Sequence, residues 1–226
     1  MNITPISINR KQPVVTYVLL GLNVAMYLIS LLTGMRLGYN YALVMLGANV
    51  PVYVAGGQVW RLLTSMFLHA GFEHILFNGM ALFIWGRQVE ALLGRWKYAV
   101  VYLLGGLFGS CMSFALSSGG YSVGASGAIF AMFGALLYLR TVNKTIFNLA
   151  FGAQVLLIIG INLVLGFVSA GIDNWAHLGG LLGGFLISAG LGLYRENRIR
   201  FYKAAALFGY GFLFVLLLIY GYMRMR

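Results

Sequence analysis

Apolar residues in this chain come in long runs, not in the short-period alternation of a half-buried helix or strand, and short polar or glycine-rich breaks separate them. Seven runs stand out, at 14–32, 72–92, 97–116, 126–139, 146–168, 175–194 and 204–222. A helix that crosses a membrane takes about 20 apolar residues, so each run is expected to be one span. The run at 126–139 is short for a bilayer, which puts its N-terminus below the membrane surface, where neighbouring protein must shield the backbone. One connection is long. Residues 33–71 carry Gly, Tyr, Trp and Val where a hydrated loop would be polar, and are expected to dip into the outer interface. The lack of an internal repeat weighs against a transporter built from inverted repeats.

Composition supports this pattern. The chain of 226 residues is 61% hydrophobic and 8% charged, where soluble domains are about 45–50% apolar and about 25% charged. It therefore cannot build a soluble surface, and one membrane-embedded bundle is expected. The net charge of +11 does not point to nucleic acid, because the fifteen Lys and Arg residues sit in twos and threes between apolar runs. With the N-terminus in the cytosol, eleven fall inside and four (Arg36, Arg61, Arg224 and Arg226) outside, as the positive-inside rule requires. Residues 1–13 then form a short cytosolic N-terminus. Arg10 and Lys11 stand where a signal peptide has its charges, but the run at 14–32 is too long for one and has no convincing cleavage site, so it is expected to be retained. Cys111, the one cysteine, cannot form an intrachain disulfide and reads as a small core residue.

Polar residues inside hydrocarbon are costly and by default face the bundle interior. His69, His74 and His177 fall at the outer ends of the second and sixth runs, and Ser126 opens the fourth, also at its outer end. Gly124-Ala125-Ser126-Gly127 gives the serine backbone N–H groups and the positive end of a helix dipole, a place where an oxyanion can be held. On its own such a serine is first of all a helix cap. Ala128 stands where a nucleophile elbow needs its last glycine. His177, Gly180 and Gly184 share one helical face, and Ser126, Phe130 and Gly134 another. If those faces pack, imidazole and hydroxyl meet, as activation of a hydroxyl nucleophile demands; a membrane histidine serves equally as interhelical hydrogen-bond glue. His74 and Asn78, at i and i+4, place two donors on one face of the second run, suited either to a developing negative charge or to structural hydrogen bonding.

These motifs resemble those of the rhomboid family of intramembrane serine proteases. G-x-S-G at 124–127, A-H-x-x-G at 176–180 and H-x-x-x-N at 74–78 are similar to its three hallmark motifs, in order and on the fourth, sixth and second spans. Trp60-Arg61 resembles the family's W-R in the outer loop, and Glu90 with Gly94 its E-x-x-x-G after the second span. The resemblance covers roughly 60–184 and implies an all-α polytopic fold with a six-span core at 14–194. A basic linker and seventh span at 195–226 resemble the six-plus-one forms. It implies a catalytic dyad of Ser126 as nucleophile and His177 as general base and acid, and an oxyanion site formed by His74, Asn78 and the Ser126 backbone. Gly124, Gly127, Phe130, Gly180, Gly184, Trp60, Arg61 and Glu90 would support it. Phe130 stands where the family often has a tyrosine stacked on the histidine: the ring is kept, the hydroxyl lost. The partners implied are single-span membrane proteins as substrates, within the lipid bilayer of a bacterial inner membrane, with the site opening to the outer face. Neither a metal nor a cofactor is implied.

Glu73, Glu90, Asp173 and Glu196 are the only carboxylate side chains. With one aspartate, an aspartic protease dyad is excluded. A zinc protease would show H-E-x-x-H, whereas His69 and His74 lie five apart, about 140° round a helix and poorly placed for one metal. Asp173 is expected in the outer loop, in contact with solvent. Arg61, Glu90 and Arg87 are expected to hold the scaffold, and the Gly/Ser segment 117–124 to give its loop flexibility. The competing function is a membrane transporter or a catalytically inactive rhomboid-like binding protein, against whose inactive form the presence of both Ser126 and His177 argues.

Overall fold

The computed structural model describes residues 12–118, 120–169, 171–192 and 200–226. Arg10, Lys11, Arg195 and Arg198, together with the expected boundary at 194, lie outside the described residues. Among the described residues the regular structure is all helical, apart from one isolated bridge between Asn49 and Ser122.

The first run becomes α1 (Val14–Leu37), longer than its apolar stretch. The segment that follows is not an open loop but a string of short helices, α2 (Tyr39–Met45), α3 (Pro51–Ala55) and α4 (Arg61–Thr64), then a 3-10 turn over Ser65–Phe67. Pro51 fits the first position of α3 because the missing N–H is not needed there. Arg61 is buried and binds the segment together. Its Nη1 donates to the carbonyls of Val44 at 2.6 Å and Ala48 at 3.0 Å, and its Nε to Gln58 Oε1 at 2.7 Å. The guanidinium also lies over the rings of Tyr53 and Trp60, at 4.9 and 4.8 Å.

The second run is continuous from α5 (Phe72–Ala81) through a π-helical turn (Leu82–Gly86) to α6 (Arg87–Leu93). Glu90, only 3% exposed, accepts hydrogen bonds from the N–H groups of Val15 and Thr16 and from the Thr16 hydroxyl, at 2.8 to 3.0 Å. A buried carboxylate is thus satisfied by the otherwise unpaired first turn of α1. Arg87 lies on the surface with its guanidinium over Phe83.

At the centre, α7 (Arg95–Leu116), α8 (Ser126–Val142) and α11 (Asn174–Leu191) pack backbone against backbone. Gly105 faces Gly184 and Ala131, Gly109 faces Ala176 and Gly180, and Gly134 faces the Leu181 carbonyl. Only small residues permit this approach. α12 (Arg200–Arg224) lies against α7 and α11, with Tyr210 donating to the Leu104 carbonyl at 2.9 Å and Phe114 edge-on to Tyr222.

The fifth run departs from expectation. Instead of one helix over 146–168 it forms α9 (Lys144–Ala150) and α10 (Gly152–Val168), bent by 80°. The side chain of Asn143 caps α9 by accepting from the Ile146 N–H at 3.0 Å, and Gly152 supplies the left-handed backbone, φ 54°, that redirects the chain. Capping and glycine outweigh continuous hydropathy.

Among the described residues three helices, α1, α7 and α12, are long and apolar enough to cross a membrane, and up to five spans result if each of two bent pairs counts as one. α8 has 17 residues and is buried nearly throughout Gly127 to Leu139, so neighbouring helices shield all but its last turn from lipid. The protein is an integral, multi-pass membrane protein of all-α fold.

Candidate active site

Ser126 is the first residue of α8. Ala125 occupies the cap position and no side-chain cap hydrogen bond forms, so capping does not account for this hydroxyl. The backbone ahead of it is fixed. Ser122 exchanges hydrogen bonds with Asn49 at 2.9 and 3.0 Å, the Gly124 N–H donates to the Ser65 carbonyl at 2.9 Å, and Asn49 Nδ2 donates to the Ser110 carbonyl at 2.9 Å. The flexibility expected of 117–124 is therefore corrected at 122–124, where backbone pairing with Asn49 and Ser65, between α1 and α5, holds the chain. Gly124 has φ 132°, and a Cβ there would stand 2.7 Å from His74 Nε2 and 3.7 Å from Ser126 Oγ. The His74 ring and the Ser126 hydroxyl thus border one small space.

His177 lies in the first turn of α11, and its position follows from how that helix starts. The Asp173 side chain accepts from the Ala176 N–H at 3.0 Å and also accepts from the Ser113 hydroxyl of α7. Asp173 is therefore the partly exposed loop residue expected, and in addition it caps α11 and ties it to α7. Gly180 packs on the Gly127 backbone and Gly127 on the Ala176 carbonyl, so α8 and α11 pack closely, through Gly127 and not through the expected Ser126 position. The imidazole of His177 stacks on Phe130, centroids 4.3 Å apart and planes 4° from parallel. Its Nδ1 is buried with no hydrogen-bond partner among the described residues, so the ring is not interhelical glue through that atom. No hydrogen bond among the described residues joins Ser126 to His177.

His74 Nδ1 accepts from the Ala70 N–H at 3.3 Å. An accepting Nδ1 leaves Nε2 to carry the proton in the neutral ring, and Nε2 is the atom beside Gly124. Asn78 is buried and donates through Nδ2 to the His74 carbonyl at 3.0 Å, so one of its two amide hydrogens serves its own helix. His69 lies edge-on to His74, ring centroids 5.1 Å apart, and is wholly buried. Gly184 reinforces the contact between α8 and α11 one turn below, whereas Trp60, Arg61 and Glu90 stand apart from the serine, bonded or stacked within the scaffold.

Sequence reasoning did not pick out Asn49, Ser65, Ser113 or Thr16. Thr16 and Ser113 are polar residues inside apolar runs, which is a legible signal of an interior partner. Asn49 and Ser65 lie in the segment read as a loop, where no periodicity marks them.

This is a helical membrane bundle with Ser126 at the start of α8, His177 in the first turn of α11, and His74 and Asn78 on α5. A family model, the Rhomboid domain, matches residues 56–194, more than half of the chain. Rhomboid protease GluP of Bacillus subtilis is 41% identical over 183 residues, covering 80% of this chain and 36% of that protein. Putative rhomboid protease YdcA of the same organism is 33% identical over 183 residues, covering 79% of this chain and 88% of that protein. RHOMBOID-like protein 1 of Arabidopsis thaliana is 40% identical over 141 residues, covering 62% and 36%. The chain thus spans about a third of two of these relatives and most of the third. It belongs to the rhomboid family.

Proposed function

We propose that this chain is an intramembrane serine endopeptidase that cleaves the transmembrane segments of single-span membrane proteins. Ser126 Oγ attacks the scissile carbonyl while His177 takes its proton, then returns it to the leaving amine; water completes the cycle by hydrolysing the acyl-enzyme. His74 Nε2–H, the free amide hydrogen of Asn78 and the backbone N–H at the start of α8 are the donors for the tetrahedral oxyanion, a contribution whose loss commonly costs about 10²–10³-fold in rate. The substrate helix must unwind locally, because a fully hydrogen-bonded helix hides its peptide bonds, so small or helix-weakening residues at the cleavage point are favoured.

The observation that carries this reading is the parallel stack of His177 on Phe130, one helical turn below Ser126. It fixes the imidazole plane while leaving Nδ1 uncommitted, and Ser126, one turn from Phe130 on α8, caps no helix. Catalytic hydrogen bonds are often long before substrate binds, so the missing serine–histidine bond is compatible with this role. The family membership and the protease names of the two Bacillus relatives support the reaction class. A cytosolic N-terminus, a six-span core at 14–194 with a seventh span, and a site opening to the outer face of a bacterial inner membrane belong to the same proposal.

The test is cleavage of a single-span model substrate by purified protein in proteoliposomes, with Ser126→Ala and His177→Ala alongside. Both variants are expected to be inactive and folded, and only the wild type to be labelled by a serine-directed fluorophosphonate. Equal cleavage by all three would refute the assignment.

A further inference from the structure

At the opposite end of the bundle from Ser126 and His177, the last turns of α8 and α11 and the first turn of α12 border two adjoining open cavities of about 250 and 360 Å³. Both have Thr141 and Phe185 in their walls. Three cations from separate elements border them: Arg140 at the end of α8, Lys144 at the start of α9 and Lys203 in the first turn of α12. Tyr138 and Tyr202 also line it, and Phe185 supplies an apolar floor.

No carboxylate among the described residues neutralises this recess. Glu90 is bonded to Val15 and Thr16, and Glu73 and Asp173 sit at the starts of α5 and α11, at the Ser126 end. Lys97, by contrast, is occupied by the Gly192 carbonyl at 3.3 Å. A positive membrane face needs only charges spread over its surface. Here they converge from three helices on one concavity with polar walls and an apolar base, the composition of a site for a group that is anionic at its head and apolar behind it.

We propose that this recess binds the headgroup of an anionic phospholipid, its phosphodiester held among Arg140, Lys144 and Lys203 and its glycerol end resting on Phe185. Bound lipid would brace the far ends of the helices that carry Ser126 and His177 and fasten α12 to them.

The full chain, purified in a neutral detergent, is titrated with phosphatidylglycerol, phosphatidylcholine or soluble glycerol 3-phosphate while its thermal midpoint is followed. Phosphatidylglycerol alone is expected to raise the midpoint. Each of Arg140→Gln, Lys144→Gln and Lys203→Gln is expected to weaken its apparent affinity about fivefold, whereas Arg87→Gln, an exposed cation outside the recess, leaves it unchanged. Arg140 and Lys144 are exposed, so their variants carry the test even where Lys203→Gln is unstable. An equal shift with glycerol 3-phosphate would reveal a free-anion site. An equal loss in Arg87→Gln would reveal bulk surface charge. Either result, or unchanged affinity in all three variants, overturns the proposal.

Discussion

The rings of Phe130 and His177 lie face to face, 4.3 Å between centroids and 4° from parallel, so a residue of α8 sets the plane of an imidazole on α11. Replacing the ring tests what that contact does. Phe130→Tyr keeps the stack and is expected to retain kcat/KM. Phe130→Ala removes it, with about 3–5 kcal/mol of stability lost to the cavity. The loss of a stack that contributes about 0.5–1.5 kcal/mol should also lower kcat/KM of the folded fraction about 2- to 10-fold. Phe130→Leu separates volume from aromaticity: if it matches Phe130→Tyr in turnover, the stack does not position His177.

The contact between α8 and α11 also depends on the absence of a methyl group. A Cβ on Gly180 would collide with the Gly127 backbone, which no side-chain rotation relieves, whereas one on Gly160 of α10 meets nothing within 4 Å. Gly180→Ala is expected to destabilise the protein by at least the about 1–3 kcal/mol typical of overpacking and to separate the proposed dyad. Gly160→Ala should be neutral or stabilising by up to about 1 kcal/mol, because alanine has the higher helix propensity. Thermal midpoints in detergent check both, and equal midpoints would disprove the close-packing account.

How far the sequence reveals this arrangement depends on the kind of signal. Long apolar runs mark the helices because lipid demands continuous hydropathy and internal backbone hydrogen bonding. Of the two faces marked by the spacing of His177, Gly180 and Gly184 and of Ser126, Phe130 and Gly134, His177 and Phe130 touch, whereas Gly180 and Gly184 pack on the neighbouring Gly127 and Ala131, because helical periodicity fixes a face only to within a residue. What stays hidden is set by single local or long-range bonds. The break at Phe151 hangs on the Asn143 cap and the Gly152 backbone. The cap that Asp173 supplies to α11 and the pairing of Asn49 with Ser122 join residues far apart in sequence or hidden among loop residues, and no hydropathy pattern predicts such bonds.

Gly124 is needed for two independent reasons, its φ of 132° and the His74 ring 2.7 Å from where a Cβ would be. Gly124→Ala must therefore shift either the backbone ahead of Ser126 or the donor nitrogen of His74. The expected result is a fall in turnover approaching the about 10²-fold that follows loss of an oxyanion donor, with a smaller change in thermal midpoint than Gly180→Ala causes. Full activity would show that His74 Nε2 has no part in the reaction.

Glu90 illustrates a carboxylate whose work is structural. It accepts three hydrogen bonds from the first turn of α1 while buried. Glu90→Ala leaves those donors unpaired, and with charged-acceptor bonds contributing about 1.5–3 kcal/mol the variant is expected to lose stability on that scale. Glu90→Gln keeps one acceptor oxygen and should lose less. Hydrogen exchange at Val15 and Thr16 is the direct readout: protection unchanged in Glu90→Ala would show that the carboxylate does not anchor α1.

His69 makes stability depend on pH. It sits in the turn between the 3-10 segment and α5, outside both helices, and its ring nitrogens have no hydrogen-bond partner among the described residues. Burial, and secondarily the neighbouring His74, lower its pKa from 6.5 to about 3, an effect the Phe67 backbone offsets only partly. In the unfolded chain His69 takes up a proton near pH 6.5, whereas in the folded protein it does so only near pH 3. Between those values the unfolded state binds more protons, so stability falls as pH falls, and the contribution is complete only above about pH 6.5. The slope from this one group is at most about 1.4 kcal/mol per pH unit. His69→Phe keeps a ring in the cavity and removes the titration. Chemical denaturation from pH 7 to pH 4 should therefore show a shallower acid loss in the variant. Parallel curves for the two would mean that His69 is not held neutral by the fold.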